Sequence, residues 1–390
     1  MPTYADKYIV DSADLIDVAD AIREKGGTSA TLNWPNGFVS AVTDIPTGGG
    51  SDSNIDALID RSMTEISNST ATSIGMYAFA YCSSLTTISF SEAASIGSYA
   101  FTSCYRLTTA SFPKAASIGS YAFANCYSLT TASFPEATTI GANAFDTCYN
   151  FTTASFPKVT TIGSSAFKYC SSLTTASFPE AATINTAAFT SCSSLTTISF
   201  PEATSIGNAA FAYCSRLTTA SFPEATSIGA SAFTSCFNLT TISFPKAKTI
   251  GANAFTSCSK ITTASFPEAT SIGNYAFSSC SNLTTISFPK AKTIGTYAFS
   301  SCSKITTASF PEATTIGANA FRGCVRLTSL DLTGVSKLAT LGSSAFLSTP
   351  IGGYSATAGQ FGSVYVPSSL YASFIAATNW KTISSRIVSV

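Results

Sequence analysis

SIGSYAFTSCYRLTTASFPKAA, residues Ser95 to Ala116, is followed at once by SIGSYAFANCYSLTTASFPEAT, Ser117 to Thr138. The same sentence is said twelve times, because the twelve cysteines fall on one lattice from Cys82 to Cys324 in steps of 22 residues without an insertion. A degenerate thirteenth copy follows at Leu341–Phe346. A fixed period of this size is the signature of a solenoid, in which each repeat is one coil resting on its neighbours.

The constant letters divide by their physics. LTTISF, Leu85 to Phe90, reads as a strand that turns Leu85, Ile88 and Phe90 inward. Ile74, Ala78, Phe79 and Cys82 are expected on the opposite wall of the coil. Glycine follows the isoleucine in eleven of twelve copies and Asn185 stands there in the other. Gly and Asn most easily take positive φ, so a left-handed corner is expected at that place. Proline closes the strand in ten copies, Pro113 to Pro311, where it cannot donate to a continuing ladder.

Coils about 4.8 Å apart would bring successive cysteines within reach of a disulfide. Free cysteine is also among the most buried residue types, and parallel side chains point the same way. The file therefore reads as reduced thiols, with bridging left open. Zinc is disfavoured because C-x₂-C spacing is missing. After each proline the charges run Glu92, Lys114, Glu136, Lys158, Glu180, Glu202, Glu224, Lys246, Glu268, Lys290, Glu312, and eight of the ten adjacent pairs are opposite in sign.

The ends are written differently. Leu15, Val18, Ala19 and Ile22 have helical spacing behind Asp11 and Ser12, and Gly26-Gly27 stops that helix. A second short helix is expected over Phe38–Ile45. Residues 1–46 form a helical attachment module, 47–54 a flexible linker, 55–73 the cap of the first coil, 74–349 the array and 350–390 a mixed α/β C-terminal cap. In that last cap a strand from Ser363 leads to a helix capped near Ser368 or Ser369, then to a final strand at Arg386–Val390. The late array repeats in coil pairs, PKAKTIG at Pro245 returning at Pro289.

The chain of 390 residues has net charge zero and no histidine. That removes Ser-His-Asp and Cys-His catalysis and every His-containing metal site. No basic or acidic block marks a nucleic-acid binder, no apolar run is long enough to cross a membrane, and the start lacks a secretory signal. No phosphate loop or nucleophile elbow is present, and repetition itself argues against an active site, which needs one unlike constellation. A non-enzymatic protein without cofactor or metal is expected.

The unit I-G-x-x-A-F-x-x-C-x-x-L-T-x-I-x-F-P, Ile74 to Phe346, resembles the BspA-like leucine-rich repeat. The resemblance implies an α/β repeat solenoid with 22-residue coils, used for adhesion and ligand binding. VYVPSSLYASFIAATNWKTISSRIVSV looks like the closing unit of such arrays. IVDSADLIDVADAIREKGGTSATLNWPNGFVSAV resembles a short module of tail-associated proteins of phages and prophages infecting Gram-positive gut bacteria. It implies a virion protein that joins other tail proteins through residues 1–46 and contacts a bacterial surface glycan or protein. A bacterial cell-surface adhesin and a pure spacer are the rival readings, and an oligomer is left open.

Variation inside the array is confined to few places. Tyr77, Tyr99 and Tyr121 precede Ala-Phe in successive coils. Tyr105, Tyr127 and Tyr149 follow the cysteine, with Arg106 beside the first of them; Phe237, Arg216, Lys260, Lys304 and Arg326 occur at the equivalent corner later on. Exposed aromatic rows offer flat faces to sugar rings or apolar partners. These six tyrosines with Arg106 form the candidate ligand surface, against the alternative that they merely cover a coil edge. Thr87, Ser89 and their equivalents make a flat Thr/Ser array like that of ice-binding solenoids, a further reading, although such pairs are ordinary strand chemistry.

Overall fold

A computed structural model describes residues 63–354 and 361–390. Each coil has three sides. The strand side carries three residues, Thr109–Ser111 in the coil quoted above; a corner at Pro113 leads to a two-residue strand, Ser117–Ile118; six residues of tight turns then return the chain to Cys126. The two-residue strands form one thirteen-stranded parallel sheet. Its register is that of the sequence lattice, Ser95 on Ser117 and Ile96 on Ile118.

The expected inward residues are inward: Leu85, Ile88, Phe90, Ile74, Ala78, Phe79 and Cys82 are all buried. Identical side chains in identical coils must meet their own kind, so the core is a set of files. Phe79 stacks on Phe101 with ring centroids 5.2 Å apart, and Phe90 on Phe112 at 5.6 Å. The two phenylalanine files meet at steep angles, Phe112 against Phe123 at 65°, as ring quadrupoles favour.

The α/β expectation is overturned. The array is a parallel β-solenoid, and the one α-helix among the described residues is Tyr371–Ala376. On the side of the coil opposite the strand, where an α/β solenoid would carry a helix, alternate amides leave the coil. Tyr99, Phe101 and Ser103 donate to the carbonyls of Ser120, Ala122 and Ala124 in the next coil, while Ala100, Thr102 and Cys104 close turns onto Gly97, Tyr99 and Phe101. An α-helix would keep all of these bonds within one segment. The backbone forbids it here, because Tyr99 and Ser103 are left-handed, with φ of 60° and 59°. The turns thereby become a third ladder between coils.

The left-handed corner is also displaced from its expected place. No glycine of the I-G row from Gly97 to Gly317 has positive φ. That conformation sits two and six residues further on, at Tyr121 and Asn125 for example. Glycine is needed for close approach instead: a Cβ on Gly119 would lie 2.5 Å from the carbonyl carbon of Gly97 in the coil before. Asn185 shows what a real Cβ does there. Its amide reaches the carbonyl of Ile162 at 3.2 Å, against 2.8 Å for Gly119 on Ile96, and its Nδ2 donates to the same oxygen at 2.9 Å.

The strand side is discontinuous, broken into sheets of four, two, three, two and four strands. Within a block the Phe90-type rings are 5.3–5.6 Å apart; across the four breaks they are 5.8–6.1 Å apart. The Phe79 wall stays at 5.2–5.4 Å from Phe79 to Phe321. One side of the solenoid is longer than the other, and a hydrogen-bonded ladder cannot stretch far beyond ~4.9 Å. The mismatch therefore collects into gaps. Thr174 donates to Thr152 through both its amide and its hydroxyl, whereas the equivalent bonds from Thr196, Thr262 and Thr306 are not made. The outward Thr/Ser array is thus cut into short patches instead of forming one flat lattice.

Among the described residues, Lys114–Glu92, Lys158–Glu136, Lys246–Glu224 and Lys290–Glu268 are bridged at 2.6–2.7 Å, each lysine reaching back one coil. Such exposed pairs contribute about 0.2–1 kcal/mol each. They hold register more than they hold the fold.

At the C-terminal end Ser363–Val366 pairs with Ser329–Asp331, and Ile387–Ser389 closes that sheet. Trp380 covers the last open core, its Nε1 donating to the carbonyl of Ala339 at 2.7 Å and its ring set against Phe346 and Phe374. The expected serine cap is absent: the helix starts at Tyr371 behind a short 3₁₀ turn, and Ser368 Oγ donates instead to the carbonyl of Val390. At the other end the first described strand is Glu65–Asn68. Residues 1–62, with the attachment module, the linker, Trp34 and the first eight residues of the cap, lie outside the described residues.

Candidate functional site

The tyrosines form two ladders. Tyr77, Tyr99 and Tyr121 occupy the first left-handed position of their coils, with φ of 58–60°. A tyrosine in that conformation costs roughly 1–2 kcal/mol. Ring stacking offsets part of the cost: centroids are 4.8 Å and 4.7 Å apart at interplanar angles of 11° and 4°, a contact worth about 0.5–1.5 kcal/mol per pair. The same position carries tyrosine again only as the adjacent pair Tyr275 and Tyr297, stacked at 4.8 Å. At this position the tyrosines come in runs, each with a ring beside it.

Tyr105, Tyr127 and Tyr149 make the second ladder at the corner after the cysteine, with centroids 5.1 Å and 5.3 Å apart. All three are exposed, as is Arg106 beside Tyr105. Partial desolvation, with Tyr105 and Tyr149 on either side, pushes the Tyr127 phenol above its ordinary range. The ladders bring together the six tyrosines singled out in the sequence, but not in the way expected. Ring faces are turned on one another, so a partner meets ring edges and phenol oxygens. Flat faces remain only at the ladder ends.

A third set was missed. Tyr81, Tyr169 and Tyr213 stand at the second left-handed position, just before the cysteine, and are among the most exposed large side chains of the array. Lys168 Nζ lies 5.0 Å from the centre of the Tyr169 ring. Desolvation raises the nearby Asp146 carboxyl above its usual range, against lowering contributions from Thr147 and Lys168. The signal was available in the lattice, since all three occupy one column of the repeat.

The cysteines offer no exposed chemistry. From Cys104 to Cys324 each Sγ points at the carbonyl of the phenylalanine 25 residues earlier, at 3.0–3.2 Å. Those from Cys126 to Cys324 are unbridged thiols, as the burial argument expects. Burial drives the ionised form out: Cys214, Cys280 and Cys324 are pushed up to about 12.

A family described as the BspA type leucine-rich repeat region matches residues 60–174, 138–262 and 248–357. The chain belongs to the BspA-type leucine-rich repeat family. The BspA-type array is similar to a leucine-rich repeat protein of Bacteroides ovatus, at 23% identity over 84% of this chain and 92% of that one, with a TM-score of 0.55. A leucine-rich cell surface protein of Faecalibacterium prausnitzii is 22% identical over 76% of this chain and 89% of that one, with a TM-score of 0.46. At 23% identity the likeness to the Bacteroides protein speaks for the leucine-rich repeat fold alone. No curated protein sequence matches the chain. The family match begins at residue 60 and gives no support to the tail-associated resemblance of residues 1–46.

Proposed function

We propose that this BspA-type array is a non-enzymatic adhesion rod that displays the tyrosine ladders of its first coils to a bacterial surface glycan or protein. The observation that carries the reading is the pair of stacked ladders in the first coils, Tyr77–Tyr99–Tyr121, of which Tyr77 is exposed and Tyr99 and Tyr121 are half-buried, and Tyr105–Tyr127–Tyr149, exposed throughout. Tyrosine combines apolar area with a polar tip and loses little side-chain entropy on binding, which suits a contact surface. Family membership and the adhesive use that the resemblance implies support a cell-surface adhesin ahead of a virion component. The virion reading rests on residues 1–46 alone.

The test is binding of the labelled protein to intact Gram-positive cells beside a variant with Tyr99, Tyr105, Tyr121 and Tyr127 changed to serine. Binding by the parent and loss in the variant, both folded by circular dichroism, is the expected result. Equal binding by the two would move the contact off the ladders, and no binding by either would leave the array a spacer.

A further inference from the structure

The net charge of zero conceals an uneven distribution. Residues 1–62 hold ten acidic against four basic residues, while residues 213–330 hold nine basic against three acidic. Two of those three acids, Glu224 and Glu268, are bridged to Lys246 and Lys290 at the proline corner. The surplus therefore shows at the other end of the strand side, the corner after the cysteine. There Arg216, Lys260, Lys304 and Arg326 are all exposed, and no acidic residue shares that corner from Ser215 to Arg326. The nearest carboxylate is Asp331, five residues beyond Arg326 on the strand side, where it accepts from Ser309 and Thr333; the acidic column of the proline corner lies at the far end of that side.

Two details show that this row is organised. Asn238 and Asn282 occupy the coils between the cations. Each amide nitrogen donates to a backbone carbonyl of the coil before, Ser215 and Ser259 respectively, and each amide oxygen accepts from the lysine of the coil after, Lys260 and Lys304, at 2.6 Å. A neutral acceptor holds the ammonium in place and leaves its charge uncompensated. The cations consequently stand about 10 Å apart along the rod, two coils per step, with Arg326 one coil beyond Lys304. Phe237 lies between Arg216 and Lys260 and is 47% exposed. Its neighbours in the column are Ser215 and Ser259, so its ring faces are not covered by other rings, unlike those of the tyrosine ladders.

We infer that the corner from Arg216 to Arg326 is a binding site for a linear acidic polysaccharide, one sugar ring lying on Phe237 and successive anionic groups meeting Arg216, Lys260, Lys304 and Arg326. Periodic cations select a polymer of repeating charge, an open ring face selects a sugar ring, and lysine meets such anions as a point charge without demanding a bidentate fit. The site is separate from the tyrosine ladders and does not rest on their role.

The test is equilibrium binding of the full chain to polygalacturonate, to dextran sulfate and to neutral dextran. Binding to both acidic polymers and none to dextran is expected, with affinity falling about fiftyfold between 50 and 200 mM salt for four ion contacts. Changing Arg216, Lys260, Lys304 and Arg326 to glutamine should abolish it. Changing Lys246, Lys248, Lys290 and Lys292 to glutamine removes the same charge from the other corner and should leave affinity within about twofold; an equal loss there would overturn the site in favour of bulk attraction. Phe237→Ser should weaken polygalacturonate binding about three- to tenfold and leave binding of inorganic polyphosphate, a linear polyanion without rings, unaffected. Tighter binding to DNA than to either polysaccharide, or an inert Phe237→Ser, would overturn the assignment to a sugar polymer.

Discussion

Gly229→Ala probes what sets the distance between coils. A Cβ there would lie 2.6 Å from the amide nitrogen of Asn208 and 2.7 Å from the carbonyl oxygen of Gly207, where ordinary contact begins at 3.4 Å. Full relief of that contact would open the corner by about 0.8 Å; Asn185, with a Cβ at the equivalent place, makes its amide bond at 3.2 Å against 2.8 Å for Gly119, and overpacking that cannot relax costs about 1–3 kcal/mol. Coils touch only adjacent coils, so the damage is local and a single global transition is a poor reporter. Amide hydrogen exchange reads it directly. The amide of Gly229, bonded to the carbonyl of Ile206 at 2.9 Å, should lose protection by about five- to hundredfold, the equivalent of that cost. Amides four or more coils away should not change. Asn185→Gly is the reverse experiment, and the amide at 185 should gain protection as its bond to Ile162 shortens. If Gly229→Ala is exchange-neutral at Gly229, close backbone approach does not explain the glycine row.

Three further outcomes are expected. The buried thiols are raised above their unfolded value of 9.0, so folding favours the neutral form: their contribution is fully present below pH 9 and is lost as pH rises toward the folded value of about 12. Urea midpoints should therefore fall steadily above pH 9, and a midpoint independent of pH up to 11 would contradict the raised values. At the strand-side breaks, the amides of Thr196, Thr262 and Thr306 should exchange faster than those of Thr174, Thr218 and Thr284, which donate to the preceding coil; uniform protection would mean that the sheet is continuous in solution. Lys246→Ala, which removes an exposed bridge to Glu224, should cost no more than about 1 kcal/mol in urea unfolding, and a larger loss would give the charge ladder a structural weight that its exposure does not support.

Much of the fold was legible because a strict repeat removes ambiguity. With Cys82 to Cys324 in steps of 22 residues, each coil must face a copy of itself, so burial of Leu85 fixes burial of Leu107, and Phe79 must meet Phe101. The sequence therefore settled the period, the parallel register, the inward letters and the stacking of like on like. It also placed the tyrosines in columns, and the ladders follow from those columns.

What the letters could not settle depends on how far apart neighbouring coils stand. Glycine is compatible both with a left-handed corner and with a tight backbone approach, and only the position of the preceding coil, 2.5 Å from a Cβ on Gly119, decides between them. The α/β class implied by the resemblance fails in the coil because Tyr99, Phe101 and Ser103 donate to the next coil and not within their own turn. The tyrosine faces look free in one repeat and are covered in the stack. The breaks on the strand side belong to no single coil: they arise because two sides of the rod differ in length, and that difference accumulates over many copies of one sentence.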